Sequence, residues 1–197
     1  MIKLTKLFFG LILYLKMKRT KAQVIIASDP SVTAWGWAAI NINTGLVVGA
    51  GCVKTQPLHK KLRIRKGDDT ARRISEINDQ FLILLKRYDV KYFVSELPHG
   101  SQSASAAVMI GIVTGIMQTI SDITGIGLEW FSEGDAKLCL LGKRSAIKTE
   151  MVDAIGQLYK MPYTGVMYKD EAMADAMSIY HTARKTSDVF RLFKLNL

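Results

Sequence analysis

The sequence predicts one α/β domain built on a mixed five-stranded sheet, in which three antiparallel strands lead into parallel strands and helices flank the sheet. Three observations predict this class. Residues 24–28 and 92–95 are apolar at nearly every position, which is typical of strands buried on both faces. A turn sequence, Asn43-Thr44-Gly45, joins two further strand-like runs. Segments with helical periodicity alternate with strands along the rest of the chain.

Each predicted element follows from a local pattern. The predicted strands are residues 24–28, 35–41, 46–54, 91–96 and 127–131. Pro98 ends the fourth strand, because proline cannot continue a central strand. Asp68 or Asp69 is expected to cap a first helix, whose apolar positions recur with helical period. The predicted helices are residues 70–87, 103–121, 133–140, 147–159 and 169–185, and residues 191–197 are expected to fray.

The helix over residues 103–121 is almost free of charge. Its apolar composition is also that of a membrane span, and Gly111 and Gly115 are spaced as at contacts between membrane helices. Thr114 and Gln118 interrupt the apolar surface, however, and α/β elements flank the segment on both sides. We therefore predict a buried central helix, in which the glycines allow close backbone approach, and no association with a membrane.

The composition indicates a globular protein with an anionic partner. The 197 residues include 27 Lys and Arg against 17 Asp and Glu, a formal net charge of +10. Such an excess of positive charge favours a polyanion, and nucleic acid is the obvious one. Cys52 and Cys139 lie far apart, with no Cys or His at metal-ligand spacing. This pattern argues against a zinc site and indicates reduced thiols.

The first 16 residues stand apart from the single domain predicted over residues 17–197. Residues 7–15 are apolar between two lysines, but a bilayer span takes about 20 residues. No small-residue cleavage site follows them. Two interpretations stay open: an upstream extension before a natural start at Met17, or an organelle presequence.

Four acidic residues mark the candidate site. Asp29 and Glu96 each close a predicted strand, and parallel neighbouring strands would bring both carboxylates to one edge of the sheet. Glu171 and Asp175 are four residues apart, which places them about 40° apart around a helix. Carboxylates this close need a divalent cation to stay ionised together, and oxygen ligands suit Mg²⁺ or Mn²⁺. Together with the positive charge, the cluster predicts a metal-dependent nuclease.

Four motifs resemble those of the RuvC family of Holliday-junction resolvases, in the ribonuclease H-like superfamily, and especially its phage and viral members. In chain order they read IIASDPSVTAWGWAAI, YFVSELPHGSQSASAAVMIGIVTG, AKLCLLGKRSAIKTEMV and KDEAMADAMSIYH. The likeness spans residues 24–184, and four motifs in order are a more specific signal than any one of them. The resemblance implies a ribonuclease H-like sheet.

The resemblance also implies roles for individual residues. The metal ligands it implies, for two Mg²⁺ ions with Mn²⁺ as a substitute, are Asp29, Glu96, Glu171 and Asp175. Lys137 and Lys148 match the family's two lysines near the scissile phosphate. There a positive charge would offset the negative charge that builds up in the transition state. For Lys137 a solvated side chain is the alternative.

Two departures from the family pattern leave questions open. The last two acids are usually three residues apart in bacterial members, whereas Glu171 and Asp175 are four apart, so Asp170 is a rival to Glu171. Three residues past Glu96, where some members have an aromatic residue, this chain has His99. We consider contact of His99 with a base or a phosphate, with an exposed turn residue as the alternative. A cleavage sequence preference cannot be carried over.

Basic residues in two further segments are predicted to contact DNA phosphates. The predicted DNA-binding residues, with His99, are Lys60, Lys61, Arg63, Arg65, Lys66, Lys143 and Arg144. Leu62 and Ile64 alternate with the charges of the first segment, which suggests a partly packed ribbon with its charges outward. A solvated loop is the alternative.

The expected function is therefore a Mg²⁺-dependent endonuclease that resolves four-way DNA junctions as a homodimer with two active sites. Two alternatives stay open: a nuclease for flaps, forks or replication intermediates, and a branched-nucleic-acid-binding protein without turnover. The expected setting is the cytoplasm of a bacterial or phage-infected cell, with an organelle or a virus as other settings.

Overall fold

The five strands form one mixed sheet. The computed structural model describes residues 21–58, 60–98, 100 and 103–195. Its strands are β1 (Gln23–Asp29), β2 (Ala34–Asn41), β3 (Val47–Lys54), β4 (Asp89–Glu96) and β5 (Gly127–Phe131), in the spatial order β3-β2-β1-β4-β5. The first three pair antiparallel, whereas β1 with β4 and β4 with β5 pair parallel. The predicted fold class is confirmed.

Helices cover both faces of the sheet. They are α1 (Lys66–Arg87), α2 (Ala104–Thr124), α3 (Glu133–Leu141), α4 (Lys148–Leu158), α5 (Met167–Thr186) and α6 (Asp188–Leu195), with a short 3-10 helix at Lys60–Leu62. Helices α1 and α2 pack on the face that contains Val24 and Ile26 of β1. Helices α3 to α6 pack on the face that contains Ile25 and Ala27. Because both faces are covered, β1 is apolar at consecutive positions.

The start of α1 differs from the prediction. The helix begins at Lys66, with Arg65 as its N-cap residue, so Asp68 and Asp69 lie in the first turn and do not cap it. Carboxylates in a first turn are favoured by the positive end of the helix dipole. The two acids therefore indicated the start of a helix, although neither caps it. Leu62 and Ile64 are exposed, so the expectation of a partly packed ribbon is wrong.

Helix α2 is not the buried central helix that its composition predicted. Among the described helices, it is the one that is long and apolar enough to cross a membrane. Its most apolar 18-residue stretch has a mean hydropathy of 1.6, yet only 17% of that stretch is buried. Its buried residues face the sheet, and its outer face carries exposed apolar side chains. A Cβ atom on Gly111 or Gly115 would meet no heavy atom within 4 Å, so these glycines make no close approach within the described chain.

The C-terminal segment is helical through residue 195 and does not fray as predicted. Phe190 of α6 is buried in the core below α5 and packs edge-on against Tyr92 and Tyr180. The amphipathic pattern of these residues is sufficient for a helix once the sheet offers an apolar surface. The extension predicted over residues 1–16 lies outside the described residues.

Candidate metal centre

The ends of β1 and β4 place Asp29 and Glu96 side by side. Ser28 pairs with Ser95 across these parallel strands, so the next residue on each strand is one of the two acids. Ser28 points to the α1–α2 face, where its hydroxyl accepts a hydrogen bond of 2.6 Å from Trp35 Nε1. Side chains alternate along a strand. Both carboxylates therefore point to the opposite face, toward α5.

Helix α5 brings the second pair of acids to the same edge. It crosses β2 at Gly36, which pairs with Asp29, and its backbone at Ala172 lies directly against that glycine. Glu171 and Asp175 flank this crossing, and their side chains are only 19% and 18% exposed. The structure thus brings all four predicted acids to one edge of the sheet, although they come from three distant segments of the chain.

The electrostatics of the cluster are those of crowded carboxylates. Burial raises the pKa of Glu96 to about 7, with further contributions from the negative charges of Glu133 and Asp175. Burial, followed by Glu96 and Asp175, raises the pKa of Asp29 well above its ordinary value. The pKa of Asp175 is also raised, again mainly by burial. Like charges with little access to water resist ionisation together, so the site attracts cations.

Lys148 supplies part of that positive charge. Its Nζ lies 3.6 Å from Asp175 Oδ2 and 3.9 Å from Glu171 Oε2. Burial alone would lower the pKa of Lys148, but Asp175, Glu171 and Asp29 raise it above its ordinary value. As the first residue of α4, Lys148 projects from a helix start into the cluster. Lys148 therefore lies beside two of the predicted acids, and its contact with a scissile phosphate stays a prediction.

Lys137 also lies at the cluster and is bound to an acid that the sequence analysis missed. Its Nζ is 2.7 Å from Glu133 Oε1, and its side chain is only 18% exposed, so Lys137 is not simply solvated. Glu133 raises the pKa values of Glu96 and Asp175, and it is therefore a fifth carboxylate at the site. One signal could have found it: an acid two residues after β5 and four before Lys137.

Asp170 has a different role from Glu171. Its buried carboxylate accepts hydrogen bonds from Thr164 N at 2.8 Å, Thr164 Oγ1 at 2.9 Å and Gly165 N at 2.8 Å. These bonds hold the loop before α5. The geometry therefore favours Glu171 over Asp170 as the acid that faces the cluster.

Most of the predicted DNA-binding cations are bound to groups of the protein itself. Arg65 pairs with Asp68 at 2.8 Å, Lys143 with Glu150 at 2.5 Å and Arg144 with Asp135 at 2.8 Å. Lys66 donates a hydrogen bond of 2.9 Å to Ser105. Lys61 and Arg63 are exposed, and Arg63 has a left-handed backbone with φ of 51°. His99 and the side chain of Lys60 lie outside the described residues, and contact with DNA stays a prediction for all eight.

The donor set of the cluster fits a hard divalent cation. Its four neighbouring carboxylates supply the oxygen ligands that Mg²⁺ and Mn²⁺ prefer. Among the described residues, however, no group of three or more His, Cys, Asp or Glu side chains has the spacing of a formed metal site. Lys148 lies beside two of the carboxylates, Glu171 and Asp175. The chemistry of the donor set fits the ion.

Several known proteins are similar to this chain in sequence. No protein-family model matches the chain. The crossover junction endodeoxyribonuclease RuvC of Shewanella amazonensis is 23% identical over 161 residues, 81% of this chain and 87% of the relative. That of Shewanella woodyi is 22% identical over 163 residues, 82% of this chain and 88% of the relative. Over about four fifths of its length, the chain is similar in sequence to RuvC endonucleases.

Solved structures show the same fold. RuvC of T. thermophilus in complex with a Holliday junction substrate superposes with a TM-score of 0.64 at 18% identity, covering 82% of this chain and 92% of that chain. The yeast mitochondrial Holliday junction resolvase Ydc2 superposes with a TM-score of 0.56 at 10% identity, covering 91% and 88%. The RuvC-like motifs of the sequence begin on β1, β4, α3 and α5.

Proposed function

We propose that this chain is a metal-dependent endonuclease that resolves four-way DNA junctions, the activity named for its curated RuvC relatives. The observation that carries the proposal is the meeting of Asp29, Glu96, Glu171 and Asp175 at one sheet edge beside Lys148. A formal net charge of +10 supplies the attraction to DNA. Metal dependence follows from the crowding of the carboxylates.

The acids and the lysines of the site have different proposed roles. The four acids would hold Mg²⁺, or Mn²⁺ in its place, and two such ions when bound supply the Lewis acidity for in-line displacement at a phosphodiester. In the metal-free protein, the positive charge of Lys148 offsets the negative charge of the cluster. When DNA is bound, the ammonium group of Lys148 can interact with the scissile phosphate. Lys137 is paired with Glu133 and lies near Glu96. Its ammonium group can also stabilise negative charge at the scissile phosphate.

We also propose that the active form is a homodimer that joins through the outer face of α1 and α2. Leu82 of α1 and Ile123 of α2 are exposed there and line an apolar cavity of about 550 Å³ that includes Gly111 and Gly115. Val108 of α2 is also exposed. An apolar face of this kind is typical of a protein interface, and the glycines would let a partner helix approach closely. A second copy is the occupant that gives two sites for the two cuts at a two-fold symmetric junction.

Cleavage of synthetic DNA tests the function directly. The full-length protein would be incubated with a labelled four-way junction and a series of divalent ions, and with flap, fork and linear duplex competitors. We expect paired nicks in the junction with Mg²⁺ or Mn²⁺, and none by Asp29→Asn. Equal cutting of flaps and forks would favour a broader nuclease, and tight junction binding without cutting under any ion would favour a binding protein.

A further inference from the structure

Two lysines to which the sequence motifs assigned no role are Lys54 and Lys169, the first residue of the fourth motif. Lys54 is the last residue of β3, and Lys169 lies in the first turn of α5. In the described part of the chain, neither forms an ion pair with a carboxylate. The predicted DNA-binding residues Arg65, Lys143 and Arg144, by contrast, are each paired with an acid. Unpaired ammonium groups are the ones free to bind phosphate.

The sheet register places Lys54 on the same face as the cluster. Asp29 pairs with Gly36, and Gly36 pairs with Cys52, so the three residues form one row across β1, β2 and β3. Neighbouring strands lie about 4.8 Å apart, which puts Cys52 about 10 Å from Asp29. Lys54 is two residues further along β3 and therefore points to the same side as Cys52.

The pKa of the Cys52 thiol depends on the charges of Asp29, Lys54 and Lys169. Burial raises the pKa of Cys52 most, and the negative charge of Asp29 raises it further, whereas the positive charges of Lys169 and Lys54 lower it. One side chain therefore lies within electrostatic range of the acidic cluster and of both lysines. The register places Lys54 beside the site, and Lys169, about 160° from Glu171 around α5, lies near the same thiol on the other side of that helix.

Tyr168 holds one of the two lysines in place. The Nζ of Lys54 lies 3.8 Å from the centre of the Tyr168 ring, a cation–π contact that joins β3 to α5. On a helix, Tyr168 lies about 20° from Asp175 and about 60° from Glu171, so its ring is on the cluster side of α5. We name Lys54, Tyr168 and Lys169 the α5 rim.

We propose that the α5 rim is a phosphate-binding subsite for the DNA strand that is cut. Lys54 and Lys169 bind phosphates within a few nucleotides of the scissile bond, because Lys54 lies just beyond the row from Asp29 to Cys52, which spans about 10 Å. Tyr168 is a positioning residue that directs the ammonium of Lys54. The inference rests on the proposed function and adds to it the residues that hold the strand beside the site.

Salt-dependent binding tests the subsite without cleavage. The full-length protein and a labelled synthetic four-way junction would be mixed without divalent ions, and the dissociation constant measured by fluorescence anisotropy over a range of KCl concentrations. For Lys54→Gln/Lys169→Gln, the slope of log Kd against log salt should fall by about 1.8, since each lost phosphate contact removes about 0.9. Lys54→Arg/Lys169→Arg should keep the wild-type slope. Tyr168→Leu should lower the slope by about half as much as the double Gln variant does.

The matched control removes the same charge elsewhere. Lys91 lies near the opposite end of β4, and Lys185 is 16 residues after Lys169 on α5, about 24 Å along the helix. Lys91→Gln/Lys185→Gln should leave the slope close to that of wild type. An equal fall in this control would show a general charge effect and overturn the subsite.

A second measurement locates the contact on the DNA. A single uncharged methylphosphonate would be moved along the strand that is cut, with circular dichroism confirming that each variant is folded. Wild type should lose affinity when the substitution lies at one position within a few nucleotides of the cut, and Lys54→Gln/Lys169→Gln should not. If wild type binds and cuts junctions but the double variant keeps its slope, the α5 rim fails alone; if wild type neither binds nor cuts them, the proposed function itself fails.

Discussion

Gly36 and Ala172 are in direct backbone contact: a Cβ atom on Gly36 would lie 1.9 Å from the carbonyl oxygen of Ala172. This contact sets the height of α5 above the sheet. Because Glu171 and Asp175 flank Ala172, it also sets how closely they approach Asp29, which pairs with Gly36. A glycine on β2 is therefore part of the architecture of the site, although it has no side chain.

We predict that Gly36→Ala lowers both stability and cleavage. The added methyl group must push α5 away from β2, which should cost about 1–3 kcal/mol of unfolding free energy, the range typical of overpacking. A shift of about 1 Å in the ligands should slow cleavage about 100-fold. Urea unfolding and single-turnover cleavage measure the two effects. Gly67→Ala is the control, because a Cβ there meets no atom within 4 Å; equal losses in both variants would contradict the prediction.

Lys148→Gln should change metal binding and catalysis in opposite directions. Without DNA, the ammonium lies 3.6 Å from Asp175 and competes with a metal ion for the same carboxylates, so its removal should tighten Mg²⁺ binding. Cleavage should fall by about 100-fold or more, since charge stabilisation at the phosphate is lost. Titration calorimetry and single-turnover cleavage measure these two quantities, with Lys91→Gln as the control. Weaker Mg²⁺ binding by Lys148→Gln would count against competition between the two cations.

The metal-free protein should become less stable as the pH rises. The pKa of Glu96 is about 7 in the folded protein, mainly through burial, against an ordinary value of 4.5. Between these values the folded state binds more protons than the unfolded state, so the unfolding free energy should fall across this window, by roughly 3 kcal/mol. Urea unfolding in EDTA at a series of pH values measures the effect.

Two additions sharpen the pH experiment. Mg²⁺ binds the ionised carboxylates, so it should restore stability most at the alkaline end of the window. Glu133→Gln should move the window to lower pH, because it removes a negative charge that raises the pKa of Glu96. Metal-free stability that increases from about pH 5 to about pH 7 would mean that the carboxylates are not crowded as described.

Asp170→Ala and Glu171→Gln should separate a structural acid from a metal-binding one. Asp170→Ala leaves the donors of Thr164 and Gly165 without their partner and should cost about 2–4 kcal/mol of unfolding free energy. Glu171→Gln should leave stability nearly unchanged, since it removes one of several crowded charges, but it should weaken Mg²⁺ binding. Urea unfolding and titration calorimetry of both variants decide the question. Loss of Mg²⁺ binding in the folded Asp170→Ala protein, with Glu171→Gln unaffected, would reverse the assignment.

Ile123→Glu should dissociate the proposed dimer. Ile123 is 80% exposed on the outer face of α2, where a buried carboxylate in an interface would be costly. Sedimentation velocity should show a dimer for wild type and a shift to monomer for the variant. Leu46→Glu, at a residue 63% exposed near the turn between β2 and β3, is the matched control and should remain dimeric. A wild type that stays monomeric with and without junction DNA would exclude this interface.

The sequence by itself determined the sheet and the ends of its strands. The strand predicted over residues 127–131 is β5 as observed, and the acids that close residues 24–28 and 91–96 emerge together as expected. These features depend on short-range patterns, because a strand buried on both faces must be apolar at consecutive positions and parallel strands end at one edge. Such patterns can be read along the chain without knowing what packs against it.

Tertiary packing decided which neighbouring residues reach the site. Helical periodicity favoured Glu171, but the family's usual spacing left Asp170 as a rival. The hydrogen bonds of Asp170 to the loop before α5 and the contact of α5 with Gly36 leave Glu171 as the acid that faces the cluster. Glu133 and Lys54 come close to the acids through pairing between distant strands and helices. Composition marked α2 as apolar but could not tell burial within the chain from an exposed apolar face. Sequence patterns report which faces of an element are apolar or charged, whereas the group that each face meets depends on where whole elements come to rest against one another.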